Sequence, residues 1–148
     1  MALPSDLIDL FTEFAAAGVE YLLVGGQAVA LHGVPRFTKD ADVWVRDDAE
    51  NLLRVRRALV AFGAPAETMT ALESARELDV VWMGQPPARI DLMKNVPAGD
   101  FQAAWARRAR FSVGAVQVNC VSRDDLIALK RASGRPQDLL DANQLELV

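Results

Sequence analysis

The order of apolar and polar residues along the chain predicts short strands mixed with amphipathic helices. Stretches with apolar residues every three or four positions have the spacing of a helix that buries one face. Short apolar runs, continuous or alternating with polar residues, have the spacing of strands. The predicted helices are 6–17, 27–33, 51–62, 65–75, 100–109, 123–133 and 137–147. The predicted strands are 21–24, 41–45, 77–83, 88–93, 110–113 and 116–121.

Residues with cap and turn chemistry fix the expected ends of these elements. Ser5 and Ser122 are expected to cap the helices that follow them, and Asp47 or Asp48 to cap the long helix. Gly18 is expected to end the first helix. The turn "GQPP" (84–87) joins two predicted strands into a hairpin.

The element order mixes hairpins with strand–helix–strand crossovers. This mixture predicts an α/β (α+β) fold, one domain over residues 1–148 with a mixed β-sheet flanked by helices, rather than a doubly wound parallel sheet. A length of 148 residues suits one domain with a real core.

Composition narrows the function classes. The formal net charge is −4, which argues against a broad nucleic-acid-binding surface. Cys120 is the only cysteine and lies in an apolar run, so a core position is expected, and with the single His32 it is too little for a structural zinc site. There is no leader and no apolar run that would span a bilayer, so we expect a cytoplasmic protein without a membrane partner.

Two aspartates occupy the start of an otherwise apolar predicted strand. Asp40 and Asp42 in "TKDADVWV" would point to the same face, about 7 Å apart along the chain. Like charges so close are costly unless they bind a cation such as Mg²⁺ or face solvent at a strand end. Asp91 in "RIDLM" would complete a three-carboxylate cluster for two metals if its strand lay beside theirs; otherwise it is a surface aspartate on a hairpin.

A glycine pair separates the first strand from the second helix. Gly25 and Gly26 in "VGGQAV" would let the backbone approach a ligand such as a phosphate closely. The same pair is also what an ordinary tight turn needs.

The stretch "VGGQAVALHGVPRFTKDADVWV" resembles the signature of the nucleotidyltransferase superfamily, the DNA polymerase beta-like group. It is most similar to small bacterial nucleotidyltransferase-like proteins of abortive-infection and toxin–antitoxin systems. The tail "DLIALKRASGRPQDLLDANQL" is similar to the closing helices of that group. The resemblance covers most of residues 20 to 145.

The resemblance implies a reaction and a set of site residues. Gly25 and Gly26 would hold the phosphates of a nucleoside triphosphate such as ATP. Asp40 and Asp42 would bind two Mg²⁺ ions, and Asp91 would ligate one of them and act as general base or help to polarise the acceptor hydroxyl.

Further residues have a binding and a structural interpretation. Gln27 stands where many superfamily members have serine, and its amide could donate to a phosphate. Arg36 could reach the triphosphate or pair with Asp40. Lys130 could be a surface lysine or a phosphate contact.

Several neighbouring residues are expected to be structural. Asp138 and Asp141 share a helix face and are expected to pair with nearby basic residues. His32 is expected to be structural, with a binding role left open by its place in the motif. Core positions are expected for all three tryptophans, Trp44, Trp82 and Trp105.

Two functional hypotheses follow. The first is a metal-dependent nucleotidyltransferase that moves a nucleoside monophosphate from a triphosphate to a hydroxyl of RNA (for example tRNA), a protein or a small molecule, releasing pyrophosphate. A partner protein or a homodimer could complete its cleft. The second is a catalytically silent module of the same fold that binds a partner, for example in a toxin–antitoxin pair.

Overall fold

The computed structural model describes residues 3–38, 40–85 and 88–148, and within them the chain forms six strands and seven helices. The strands are β1 (Tyr21–Val24), β2 (Ala41–Val45), β3 (Val80–Gln85), β4 (Ala88–Met93), β5 (Ala109–Val113) and β6 (Val116–Cys120). The helices are α1 (Ser5–Ala17), α2 (Gly25–Leu31), α3 (Ala49–Phe62), α4 (Ala66–Ser74), α5 (Phe101–Ala106), α6 (Arg123–Ser133) and α7 (Pro136–Leu145).

The strands form a single mixed sheet in the order β3-β4-β2-β1-β6-β5. The pairs β1–β2, β3–β4 and β5–β6 are antiparallel, and the pairs β2–β4 and β1–β6 are parallel. The predicted α/β fold with a mixed sheet and flanking helices is therefore confirmed. Strands β1, β2 and β4 are inner strands, whereas β3 lies at an edge.

The core lies where α1 packs against the sheet and against α3. Phe11, Phe14 and Tyr21 are almost completely buried, and the rings of Phe11 and Tyr21 stack with centroids 4.6 Å apart. Stacked aromatic side chains remove a large apolar area from water and fix the angle between helix and sheet.

Two of the predicted helix caps are present and one is not. The Asp48 side chain accepts a hydrogen bond from the backbone N–H of Asn51 at 2.7 Å, and Ser122 accepts from Asp125 at 3.1 Å. Ser5 is wrong as a cap, because it is already the first residue of α1. Pro4 takes the cap position with an extended ψ of 143° and no side-chain hydrogen bond.

The two largest differences between predicted and observed element boundaries are three residues each. Strand β3 begins at Val80 rather than Glu77, because Glu77 has a φ of 49° that a strand does not tolerate. Helix α5 ends at Ala106, because Ala109 already pairs with Cys120 in the β5–β6 ladder. Half of the predicted hairpin turn, residues 86–87, lies outside the described residues.

The three tryptophans do not share one environment. Trp44 is buried as predicted, and its indole N–H donates to the Lys94 carbonyl at 3.2 Å. Trp82 is 59% exposed, so the core prediction for it is wrong, because β3 is an edge strand. Trp105 is partly buried and stacks on Phe101. No helix in the described ranges is both long and apolar enough for a membrane span.

Candidate active site

The two inner parallel strands β2 and β4 bring two carboxylates side by side. Their register sets Asp42 directly opposite Asp91. Neighbouring strands lie about 4.8 Å apart, and opposite residues place their side chains on the same face of the sheet. The expectation that the strand of Asp91 lies beside the strand of Asp42 is therefore confirmed.

The electrostatics of this pair are unfavourable for two full negative charges. Burial, together with the neighbouring Asp91, raises the pKa of Asp42 to about 6. Its carboxyl is close enough to Asp91 to hydrogen-bond when one of the two is protonated. The pair therefore holds a proton or a cation more readily than an ordinary surface aspartate does.

Arg89 is the counter-ion of Asp91, and the alternation of side chains along a strand, which puts residues two apart on one face, is the signal that could have indicated it. Its Nη2 donates to Asp91 Oδ2 at 3.2 Å, and this contact raises the pKa of the Arg89 guanidinium. Its Nε lies 2.9 Å from Asp91 Oδ1 but outside hydrogen-bond geometry, so this buried oxygen has no hydrogen-bond partner. One buried carboxylate oxygen beside Asp42 is thus left unsatisfied.

The first glycine of the pair, Gly25, lies directly against the carboxylate of Asp42. Helix α2 begins at Gly25, which has a φ of 72°. A Cβ at Gly25 would collide with Oδ2 of Asp42, and one at Gly26 would lie 3.0 Å from Cγ2 of Thr38. The absence of side chains here is what allows the α2 backbone and the Asp42 carboxylate to lie together.

Most of the predicted site residues line one cavity of about 850 Å³. Its walls include both glycines and all three aspartates, together with Arg36 and Lys130. The residues that share this cavity are Gly25, Gly26, Arg36, Asp40, Asp42, Asp91 and Lys130.

The predicted three-carboxylate cluster is not formed. Among residues 3–38, 40–85 and 88–148, no group of three His, Cys, Asp or Glu side chains is arranged to hold a metal ion. Asp40 precedes the first residue of β2, Ala41, and so it is not held in the ladder and is exposed on the cavity wall.

Two carboxylates are nevertheless a suitable donor set for Mg²⁺. This ion is usually held by one or two carboxylates, and substrate phosphates and water complete its shell. Asp42 and Asp91 supply such a pair: one oxygen of Asp91 accepts no hydrogen bond, and burial, together with the neighbouring Asp91, raises the pKa of Asp42. The residues present therefore fit the cation that the resemblance implies.

Lys130 is buried, and the surface interpretation for it is wrong. Its Nζ donates to Asp138 Oδ1 at 2.9 Å and to Asp141 Oδ2 at 3.1 Å. Both aspartates come from α7, so this lysine joins α6 to α7. The predicted pairing of Asp138 and Asp141 with nearby basic residues is confirmed.

Arg36 belongs to the same network. Its Nη1 donates to Asp141 Oδ2, the oxygen that Lys130 also contacts. The alternative in which Arg36 pairs with Asp40 is therefore wrong. Position 141 lies far along the sequence, so no local pattern could have indicated this partner.

Gln27 and His32 are placed away from the cavity. Gln27 is 1% exposed, and its amide donates to the Thr38 carbonyl at 3.0 Å, which holds the segment before β2. It does not appear on the cavity wall, so its predicted phosphate contact receives no support. His32 Nε2 lies 2.8 Å from the Val121 carbonyl, in agreement with the structural interpretation.

Comparison with solved structures finds the same architecture in nucleotidyltransferases. The lincosamide antibiotic adenylyltransferase LnuA, solved with lincomycin bound, matches with a TM-score of 0.63 at 18% identity, over 98% of this chain and 97% of that chain. A Thermotoga maritima protein assigned as a nucleotidyltransferase matches with a TM-score of 0.66 at 11% identity, over 93% and 88%. ANT(2")-Ia, solved with adenylyl-2"-tobramycin, matches with a TM-score of 0.60 at 13% identity, over 94% and 84%.

No model of a known protein family matches the sequence, and no curated protein matches it significantly. The structural matches extend over nearly the whole chain in spite of low identity. The chain therefore has a nucleotidyltransferase fold.

Proposed function

We propose that this protein is a metal-dependent nucleotidyltransferase. It transfers a nucleoside monophosphate from a nucleoside triphosphate to a hydroxyl acceptor. The acceptor oxygen forms a bond to the α-phosphorus, the bond from that phosphorus to the bridging oxygen breaks, and pyrophosphate leaves. The hydroxyl proton passes to a base in the cavity.

The observation that carries this proposal is the Asp42–Asp91 register pair beside Gly25 in the cavity. A buried carboxylate pair costs folding free energy, and a site for Mg²⁺ gives the chain a reason to carry it. The fold shared with nucleotidyltransferases supports the same assignment.

Asp42 and Asp91 would hold Mg²⁺, with Asp40 on the same wall available as a further oxygen ligand. The bound cation would neutralise charge on the attacking and leaving oxygens. Asp91 also suits the role of the base that accepts the hydroxyl proton, because one of its oxygens is buried without a hydrogen-bond partner.

The phosphates would lie along the Gly25–Gly26 backbone. On this side the cavity wall also carries the cationic groups of Arg36, Lys130 and Arg135. These three cations face only two carboxylates, Asp138 and Asp141, in their ion pairs. These cationic groups could contact a polyanionic ligand, and a cation held by Asp42 and Asp91 would offset the carboxylates on the same wall.

The donor and acceptor are proposed from the structural matches. Two of the matched structures are an adenylyltransferase with lincomycin bound and ANT(2")-Ia in complex with adenylyl-2"-tobramycin. By analogy, ATP is the proposed donor and a small molecule with a hydroxyl group the proposed acceptor. Transfer to tRNA or to the protein itself is the outcome that would replace this choice.

The test is incubation of the full chain with each α-labelled nucleoside triphosphate, Mg²⁺, and acceptors from three classes: small alcohols and glycosides, total tRNA, and the protein itself. We expect label transfer with ATP that EDTA abolishes. Asp42→Asn is expected to reduce the rate at least about 100-fold, because it removes half of the cation's protein ligands. Asp9→Asn, an exposed aspartate on α1, is the matched control and should retain full activity. Equal activity in the Asp42→Asn variant would overturn the proposal.

A further inference from the structure

An apolar strip, formed by Leu78 just before the edge strand β3 and by Val80 and Trp82 on it, lies beside the carboxylate pair. Leu78, Val80 and Trp82 are 54%, 48% and 59% exposed, although all three are large and apolar. Leu78 and Val80 line the same cavity as Asp42 and Asp91. Exposed apolar side chains that lie together mark a binding surface more often than an ordinary surface.

The sheet register places this strip at the site. Trp82 lies opposite Asp91 in the β3–β4 ladder, and Asp91 lies opposite Asp42 in the β4–β2 ladder. One row across the sheet therefore reads Trp82, Asp91 and Asp42, on one face and at about 4.8 Å per strand. Val80, two residues before Trp82, shares that face and lies opposite Met93.

The two sides of the carboxylate pair differ in chemistry. The glycine turn and the cations Arg36 and Lys130 lie on the β1 side, which suits phosphates. On the β3 side, apart from Arg89 and Asn95, the cavity is lined by apolar side chains: Leu78, Val80, Met93, Val96 and Pro97. Among the described residues, no carboxylate other than those of the proposed metal site lines this side of the cavity, and Glu77 and Asp79, which flank Leu78, are exposed outside it. The cavity wall itself therefore gives a polycationic acceptor no counter-charge.

We propose that Leu78, Val80 and Trp82 form the acceptor-binding wall, and that the acceptor is an uncharged alcohol with an aromatic or similarly flat apolar group. The indole of Trp82 would stack on that group while the hydroxyl reaches Asp91, one strand away. This inference rests on the proposed transfer reaction and assigns its acceptor class.

The test compares two acceptors that present the same sugar hydroxyls. Phenyl β-D-glucoside and methyl β-D-glucoside are titrated calorimetrically into the full chain, with and without Mg²⁺ and α,β-methylene-ATP, an analogue that cannot release pyrophosphate. We expect the phenyl compound to bind about tenfold more tightly, because one aromatic stack with its burial is worth about that factor.

Matched variants assign the difference to the wall. Trp82→Ala and Val80→Ser are expected to reduce the phenyl preference to less than about twofold. Val60→Ser is the control, since Val60 is a 73% exposed valine on α3, away from the cavity, and this variant should keep the full preference.

Several outcomes would overturn the inference. These are equal affinities for the two glucosides, binding of neither, a preference that survives Trp82→Ala, or a stable dimer by sedimentation whose formation Trp82→Ala abolishes. The last would show that a second copy covers the strip. Loss of Mg²⁺-dependent nucleotide binding is a separate result that overturns the transfer reaction itself, whereas nucleotide binding without a phenyl preference overturns only the acceptor class.

Discussion

At the scale of single residues, the feature that matters most is a carboxylate pair that opposes folding. Asp42 is largely buried beside Asp91, and its pKa is raised to about 6 by burial and by that neighbour. An unfolded chain would titrate the same group near 4. The folded protein therefore binds more protons than the unfolded chain between about pH 4 and pH 6, and its stability falls as pH rises through that window.

This sign gives a prediction for the metal-free protein. In EDTA at pH 7, the free energy of unfolding of Asp42→Asn is expected to exceed that of the wild type by on the order of 2 kcal/mol, so the variant unfolds at a higher urea concentration. Near pH 4 the two proteins should have the same free energy of unfolding. Urea titrations from pH 4 to pH 7 measure it, with Asp9→Asn as the control that should follow the wild type. Parallel pH curves for Asp42→Asn and the wild type would contradict the shifted pKa.

Residue roles could be predicted only where the local sequence determines them. The alternation around Asp42 and Asp91 and the glycines before α2 were sufficient to select the residues at the centre of the cavity. The partner of Arg36 comes from α7, and the exposure of Trp82 depends on which strand forms the sheet edge. Neither has a local signal.

At the scale of elements, a buried lysine fixes α6 against α7. Lys130, Asp138 and Asp141 are 8%, 7% and 2% exposed, and they form a hydrogen-bonded ion-pair network. Burial by itself would raise the pKa of both aspartates, but the hydrogen bonds that they accept have the larger, opposite effect. Asp138 accepts from Ser133 and Lys130, and Asp141 accepts from Arg36 and Lys130. The net pKa of each aspartate is lowered.

Lys130→Met is therefore expected to be strongly destabilising, by about 3 to 5 kcal/mol at pH 7, because it leaves two buried carboxylates with reduced compensation. Lowered carboxyl pKa values stabilise the fold above about pH 4 and lose that effect as the pH falls, so the penalty should shrink toward pH 3. Urea unfolding at both pH values tests this. Arg131→Met is the matched control on the same helix, since its ion pair with Glu146 is half exposed and should cost less than about 1 kcal/mol. A penalty that does not depend on pH would exclude the ion-pair explanation.

The elements themselves were largely predictable, but their neighbours were not. Periodicity and caps located the helices, and turn chemistry identified the hairpin β3–β4. The parallel contacts β2–β4 and β1–β6 join segments far apart in sequence. Such long-range pairing depends on which arrangement of the whole sheet buries the apolar side chains, so the sequence of one segment does not indicate its partner strand.

At the scale of the whole molecule, the strand order is what creates a site. It places the carboxylates on two inner strands, the glycine turn and cations on one side, and the apolar strip of β3 on the other. Two observations also suit a silent module that binds a partner protein: Arg89 already pairs with Asp91, and Asp40 is not drawn into a metal cluster. The response of the whole fold to nucleotide and metal distinguishes the two.

For an enzyme, Mg²⁺ and ATP are expected to stabilise the protein only when both are present. At a ligand concentration 100 times the Kd the gain is about 2.7 kcal/mol, which for a chain of this size is a rise in Tm of roughly 5 to 10 °C. The rise should be lost in EDTA and in Asp42→Asn, because Asp42 and Asp91 would hold the cation that offsets the charge of the phosphates, and kept in Asp9→Asn. A Tm that no nucleoside triphosphate changes in the presence of Mg²⁺ would favour the silent module, in which Arg89 offsets the charge of Asp91 and no cation is bound.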